Sequence, residues 1–258
     1  MLHLREIAKT TDRTEGFPFA LPTIRSLDRL VLTAPVTFLI GANATGKSSL
    51  LEALAIASNR VVVGGTDLKR DPSLDAIRPL AKALKLTWSK RTARGFFLRA
   101  EDFFNFARRN RELSDELQGY ADKHADDPRV KGYLLGQKSR LTERYGDLGA
   151  VSHGESFLRV FQSRIVPQGL YLLDEPEAAL SPHSQLAFLL QLRDAVAAGS
   201  QFLIATHSPI IASYPDAQIL EFSPEGIRPV AYDDLEGVSV YRHFLRNPKQ
   251  YLDRLFRD

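Results

Sequence analysis

Gly41-Ala42-Asn43-Ala44-Thr45-Gly46-Lys47-Ser48 fits the spacing G-x-x-x-x-G-K-[ST]. Glycines at the two fixed positions let the backbone curl until its N–H groups point into one concavity. A helix that opens at the end of the curl adds its positive dipole end, so the concavity favours an anion. Lys47 would reach the β- and γ-phosphates of a nucleotide, and the Ser48 hydroxyl would ligate Mg²⁺. The candidate nucleotide-binding set is Gly41, Asn43, Ala44, Thr45, Gly46, Lys47, Ser48 and Ser49. The chemistry it calls for is ATP with Mg²⁺.

Leu170-Tyr171-Leu172-Leu173-Asp174-Glu175 is an apolar run ending in two carboxylates. Alone, two acids before Pro176 would read as a plain turn. Beside a phosphate loop, Asp174 reads as the residue holding Mg²⁺ through water. Glu175 then reads as the base that orients and deprotonates an attacking water. His207 follows a second apolar run, Gln201 to Ala205. Just past a central strand, it is placed to contact a γ-phosphate. The catalytic candidates are therefore Lys47, Glu175 and His207.

These residues need strands that end together. Val36 to Ile40 is a continuous apolar run, as in a strand buried on both faces of a parallel sheet. Lys47 to Ser58 has helical apolar spacing. Leu2 to Glu6 and Leu30 to Leu32 read as strands. Asp75 to Leu84 reads as a helix. Leu84 to Ser89 and Gly95 to Ala100 read as two strands joined by a basic turn. Glu101 to Asp147 is charge-mixed and reads as helical, with no long heptad array. Leu170 to Leu173 and Gln201 to Thr206 read as strands around a helix at Ser184 to Ala197. Ala217 to Phe222 and Ile227 to Val230 read as edge strands, and Val238 to Phe256 as helical. Strand–helix alternation with buried parallel strands indicates an α/β core.

In this order the motifs resemble an ABC-type ATPase head. Val151-Ser152-His153-Gly154-Glu155-Ser156 looks like a variant of that family's LSGGQ signature. Ser152 and Gly154 match it; His153 replaces a glycine. Glu155 replaces the glutamine, as in chromosome-maintenance and RecF-like members. Glu177-Ala178-Ala179-Leu180-Ser181 looks like the D-loop, and His207 matches the switch histidine. The resemblance implies a P-loop NTPase of α/β class. It would have a mostly parallel central sheet, an N-terminal antiparallel β-subdomain and an inserted helical lobe over about 101–165, all in one domain spanning 1–258.

The resemblance also implies an ATP sandwich. Two copies would pair head to tail, with Ser152, Gly154 and Glu155 of one contacting the nucleotide held by the other. Ser152 reads equally as an N-cap, since Glu155 completes a capping box. Transporter-type heads carry a glutamine after a middle strand, and Phe96 to Asp102 has none. Glu101 there is either a third metal-side acid or a solvent-facing residue. Phe17, Phe19 and Arg25 are candidates to contact adenine, although core packing or a solvated loop is the plainer reading of each. The small stand-alone ATPases related to SMC and RecF heads are the most similar branch. The expected output is a switch acting on an unknown partner. DNA-associated action, service as a transporter's nucleotide-binding subunit and regulation of a separately encoded effector protein are the rival outputs.

The 258 residues carry a net charge of +3, too mild to announce a nucleic-acid binder. There are no cysteines, which excludes disulfides, thiolate metal sites and a cysteine nucleophile. No apolar run approaches the ~20 residues of a membrane span. Met1 to Thr14 lacks the apolar stretch of a signal peptide. The expectation is a cytoplasmic protein whose length is filled by one two-lobed head. That leaves nothing for a coiled coil, membrane domain or fused effector.

Overall fold

The computed structural model describes residues 2–64, 68, 71–145 and 153–256. The chain opens with β1 (Leu4–Lys9), a single turn α1 (Pro22–Arg25), β2 (Arg29–Val31) and β3 (Val36–Gly41). There follow α2 (Lys47–Ala57), β4 (Val61–Val62), α3 (Arg78–Lys82), β5 (Leu84–Trp88) and β6 (Phe96–Arg99). Helices α4 (Ala100–Lys123), α5 (Pro128–Tyr145) and α6 (His153–Arg164) come next. The remainder is β7 (Leu170–Asp174), α7 (Pro182–Ala197), β8 (Gln201–Ala205), α8 (Pro209–Ala212), β9 (Gln218–Ser223), β10 (Gly226–Pro229), α9 (Glu236–Arg246) and α10 (Pro248–Leu255).

Among the described residues, seven strands form one sheet in the order β10-β9-β3-β8-β7-β6-β4. Every pairing in it is parallel except β10 with β9. The apolar runs of β3, β7 and β8 are buried on both faces, as parallel strands covered by helices must be. Successive side chains alternate between two cores. Leu172 and Leu203 pack with Leu50 and Leu54 of α2. Tyr171, Leu173, Phe202 and Ile204 pack with Phe161 of α6 and Phe188 of α7. A second, antiparallel sheet runs β2-β1-β5. It covers the α2 side through Leu4, Ile7 and Leu30. The fold is α/β, with a mostly parallel central sheet and an antiparallel sheet from the N-terminal region.

Three expectations are corrected. The strands at 84–89 and 95–100 are not partners. β5 pairs with β1 in the small sheet, while β6 pairs with β7 and β4 in the large one. The chain changes sheets between them, and Gly95 permits it. Gly95 has φ +115, and a Cβ there would lie 1.8 Å from the Leu170 carbonyl oxygen. β9 is not an edge strand either, because β10 folds back antiparallel to cover it. The first strand also sits later than Leu2 to Glu6, where its pairing with β2 and β5 sets its limits.

Helices α4 and α5 pack against each other as a hairpin, and α6 returns to the sheet. Phe157 of α6 holds this group in place. Its ring lies 5.0 Å from Phe103 of α4 and 6.3 Å from Phe188 of α7, centroid to centroid.

Candidate active site

β3, β8 and β7 are adjacent and parallel, so their carboxyl ends lie side by side. Ligands of open α/β sheets bind at that edge. The loop after β3 needs glycine twice. Gly41 has φ +153, and a Cβ there would approach the Phe222 carbonyl oxygen to 2.1 Å. Gly46 has φ +100, and its Cβ would meet Thr23 Oγ1 at 2.9 Å. Thr23 donates its hydroxyl to the Thr45 carbonyl and so pins the loop. Gly46 is the N-cap of α2 and Lys47 its first residue.

Lys47 is buried, and its Nζ donates to the carbonyls of Gly41 and Ala42, each at 2.8 Å. Burial lowers its pKa; the charges of Glu175, Asp174 and Glu177 pull it back up. Ser48 Oγ donates to Asp174 Oδ1 at 3.1 Å. Burial pushes the Asp174 carboxyl up to about 6; the Ser48 bond opposes this and the Glu175 charge adds to it. Glu175 turns the chain out of β7 with a left-handed φ of 50°. Its amide donates to the Ala205 carbonyl at 2.9 Å, tying the ends of β7 and β8 together. His207 Nε2 lies 3.6 Å from Glu175 Oε1. Residues Asn43 to Ser49 line one cleft with Glu175 and His207.

Ser48 and Asp174 offer two oxygens. Magnesium is held by one or two carboxylates when substrate phosphates and water complete its octahedron, and this pair fits that need. Among the described residues, no group of three or more His, Asp or Glu side chains could hold a metal unaided.

Residues 71–213, just over half of the chain, match the family described as "AAA domain, putative AbiEii toxin, Type IV TA system". The chain belongs to this family. The match covers Asp174, Glu175 and His207. A curated relative, the macrolide export ATP-binding/permease protein MacB of Agrobacterium fabrum, is 26% identical over 211 residues. That alignment takes in 78% of this chain but 30% of the relative, so the chain spans under a third of its length. Among solved structures, "An inward-facing conformation of a putative metal-chelate type ABC transporter" aligns with a TM-score of 0.50 at 15% identity. It covers 94% of this chain and 90% of that one. The SMC head domain of Pyrococcus furiosus, bound to part of ScpA, aligns with a TM-score of 0.49 at 10% identity, over 95% and 100% of the two chains.

The segment matched above to the family signature is described only in part. Ser152 lies outside the described residues. Gly154 is in the first turn of α6 and buried; a Cβ there would meet Ser184 Oγ at 2.7 Å. Its own chain therefore gives Gly154 a packing reason to be glycine. Glu155 is exposed one residue later. The Glu101 carboxylate pairs with Arg99 Nη1 at 3.2 Å, and its side chain is 68% exposed. Of the three adenine candidates, Phe17 lines the cleft and is 57% exposed. Phe19 is in the core, and Arg25 bonds the nearby Ala20 carbonyl.

Two polar residues beside the cleft were missed by sequence reading. Glu177 accepts from Thr206 Oγ1 at 2.8 Å and from the His207 amide at 2.5 Å. It sat inside the D-loop match, yet nothing local announces its partners. Glu52 sits on α2 one turn after Ser48. Burial pushes its carboxyl up to about 7, opposed by Arg99 and aided by Asp174. The only sequence signal for it was an acid at the i+4 position from the motif serine.

Proposed function

We propose that this chain binds and hydrolyses Mg-ATP and that ATP-dependent head-to-tail pairing of two copies switches an effector protein. The observation that carries the reading is the meeting of Lys47, Ser48, Asp174, Glu175 and His207 at three neighbouring strand ends. Lys47 exchanges the Gly41 and Ala42 carbonyls for phosphate oxygens and offsets their charge. Ser48 and Asp174 would hold the metal, which would supply positive charge against the phosphates when bound. Glu175 orients a water against the γ-phosphorus and takes its proton. The water oxygen bonds to the γ-phosphorus as the bond from that phosphorus to its bridging oxygen breaks, and ADP leaves with the electron pair. His207, beside Glu175, contacts the γ-phosphate. Phe17 is the aromatic best placed to stack on the base. Such chemistry needs an ATP-rich compartment, which favours the cytoplasm.

The test is phosphate release by the wild type and by Glu175→Gln. The expected loss in the variant is about a hundredfold or more, with nucleotide binding retained. Equal rates would remove Glu175 as the base. A wild type that neither binds nor hydrolyses Mg-ATP would overturn the reading.

The effector output is supported by the family description, which names a toxin of a Type IV system. The transporter output is supported by MacB, an ATP-binding/permease protein. No helix among the described residues is long and apolar enough to cross a membrane. Capture in ATP with Glu175→Gln separates these outputs, and stimulation of hydrolysis by DNA would favour the nucleic-acid alternative.

A further inference from the structure

Arg99 ends β6 in register with Asp174 at the end of β7. Its side chain is 10% exposed and faces four carboxylates. Nε donates to Asp102 Oδ2 at 2.6 Å, and Nη2 to Asp102 Oδ1 at 3.2 Å. Nη2 also donates to Asp71 Oδ2 at 3.2 Å. Nη1 reaches Glu52 Oε1 at 3.5 Å and Glu101 Oε1 at 3.2 Å. One guanidinium thus joins the phosphate-loop helix α2, the segment before α3 and the first turn of α4.

Glu52 lies four residues after Ser48, so the two share one face of α2. Ser48 meets Asp174 and Glu52 meets Arg99. The face therefore seats on the ends of β7 and β6 at two polar points, about 6 Å apart along the helix. We propose that Arg99 is a positioning residue for the metal-holding pair Ser48–Asp174 and acts through Glu52. This rests on the Mg-ATP reading above. Glu52 is a half-buried acid one turn from Ser48 and feels the charge of Asp174. Without a cation it would repel Asp174 or offer the metal a competing oxygen. Arg99 prevents both by holding it. The planar fork matters, because Asp102, Asp71 and Glu52 approach from different directions and a lysine supplies a single point charge. The grip on Asp102 also fixes the root of the α4–α5 hairpin to the same cluster.

The test measures the affinity of a fluorescent ATP analogue as Mg²⁺ is titrated, and again in EDTA. Arg99→Gln is expected to raise the Mg²⁺ concentration for half-maximal binding about tenfold or more, with affinity in EDTA within about threefold of wild type. The double variant Glu52→Gln/Arg99→Gln removes the stranded acid and is expected to recover most of that loss. An unshifted Mg²⁺ midpoint in Arg99→Gln overturns the proposal, as does a double variant no better than the single. If circular dichroism shows Arg99→Gln unfolded, Arg99→Lys carries the test. It keeps the charge without the fork, so a shifted midpoint supports the proposal and a wild-type midpoint overturns it. A wild type whose analogue binding ignores Mg²⁺ overturns the Mg-ATP reading itself. Normal Mg²⁺ dependence that survives in Arg99→Gln overturns only the role of Arg99.

Discussion

Glu177 holds the backbone that carries His207. Its carboxylate spans the turn after β7 and the end of β8, accepting from Thr206 Oγ1 and the His207 amide. A carboxylate accepting two bonds in a half-buried turn orders the backbone that carries the imidazole. Glu177→Ala leaves both donors without this partner. The expected cost is about 1.5–3 kcal/mol of stability, read from the urea midpoint. Phosphate release should fall in the same variant while nucleotide binding stays near wild type. Loss of binding equal to the loss of turnover would argue against a role through His207. The meeting of Lys47, Ser48, Asp174, Glu175 and His207 was legible because their motifs place them just after strands that the apolar pattern marks as buried and parallel. Glu177 and Arg99 were not, because their meaning lies in partners far along the chain. Thr206 is 29 residues from Glu177, and Glu52 is 47 from Arg99.

At the scale of elements, the sheet positions the site only if α6 and α7 stay seated on its back. Phe157 is 1% exposed and lies among the rings of Phe103, Phe161 and Phe188. Phe157→Ala opens a cavity where α4, α6 and α7 meet. The expected destabilisation is about 3–5 kcal/mol, measured by denaturant unfolding. A change under 1 kcal/mol would mean the three helices are not held by this cluster. Buried strands and long amphipathic helices were legible because apolar periodicity records which faces are covered. Pairing was not. β5 and β6 are neighbours in sequence, separated by a basic turn that suits a hairpin, yet they enter different sheets. What decides this is the contact of Gly95 with the Leu170 backbone and the register of β5 on β1, neither of which a local pattern contains. β9 looked like an edge because the short β10 after it gave too few residues to show that it pairs back.

For the whole molecule, the question is whether one chain can enclose the nucleotide. The cleft is lined from the phosphate-loop side, by Asn43 to Ser49 with Phe17, Leu21, Glu175 and His207. Among the described residues, none from α4, α5 or α6 contributes to that lining. A γ-phosphate bound there by one copy would have Lys47 and α2 on one side and solvent on the other. A second copy presenting a helix N-terminus would add backbone N–H groups and a dipole at that open side. Anything that binds the paired state better than the single state shifts the equilibrium by its differential affinity alone. Glu175→Gln, which keeps the nucleotide from being consumed, should therefore double the 28.9 kDa mass of the chain in light scattering with saturating Mg-ATP, and not with ADP. A monomer under both conditions would remove pairing from the mechanism and leave hydrolysis within one chain. Pairing that weakens steeply with salt would instead assign the contact to charge rather than to the nucleotide. A net charge of +3 gives little ground to expect that outcome. The nucleotide dependence of the mass, compared at fixed salt, thus separates an ATP-driven clasp from ordinary electrostatic association.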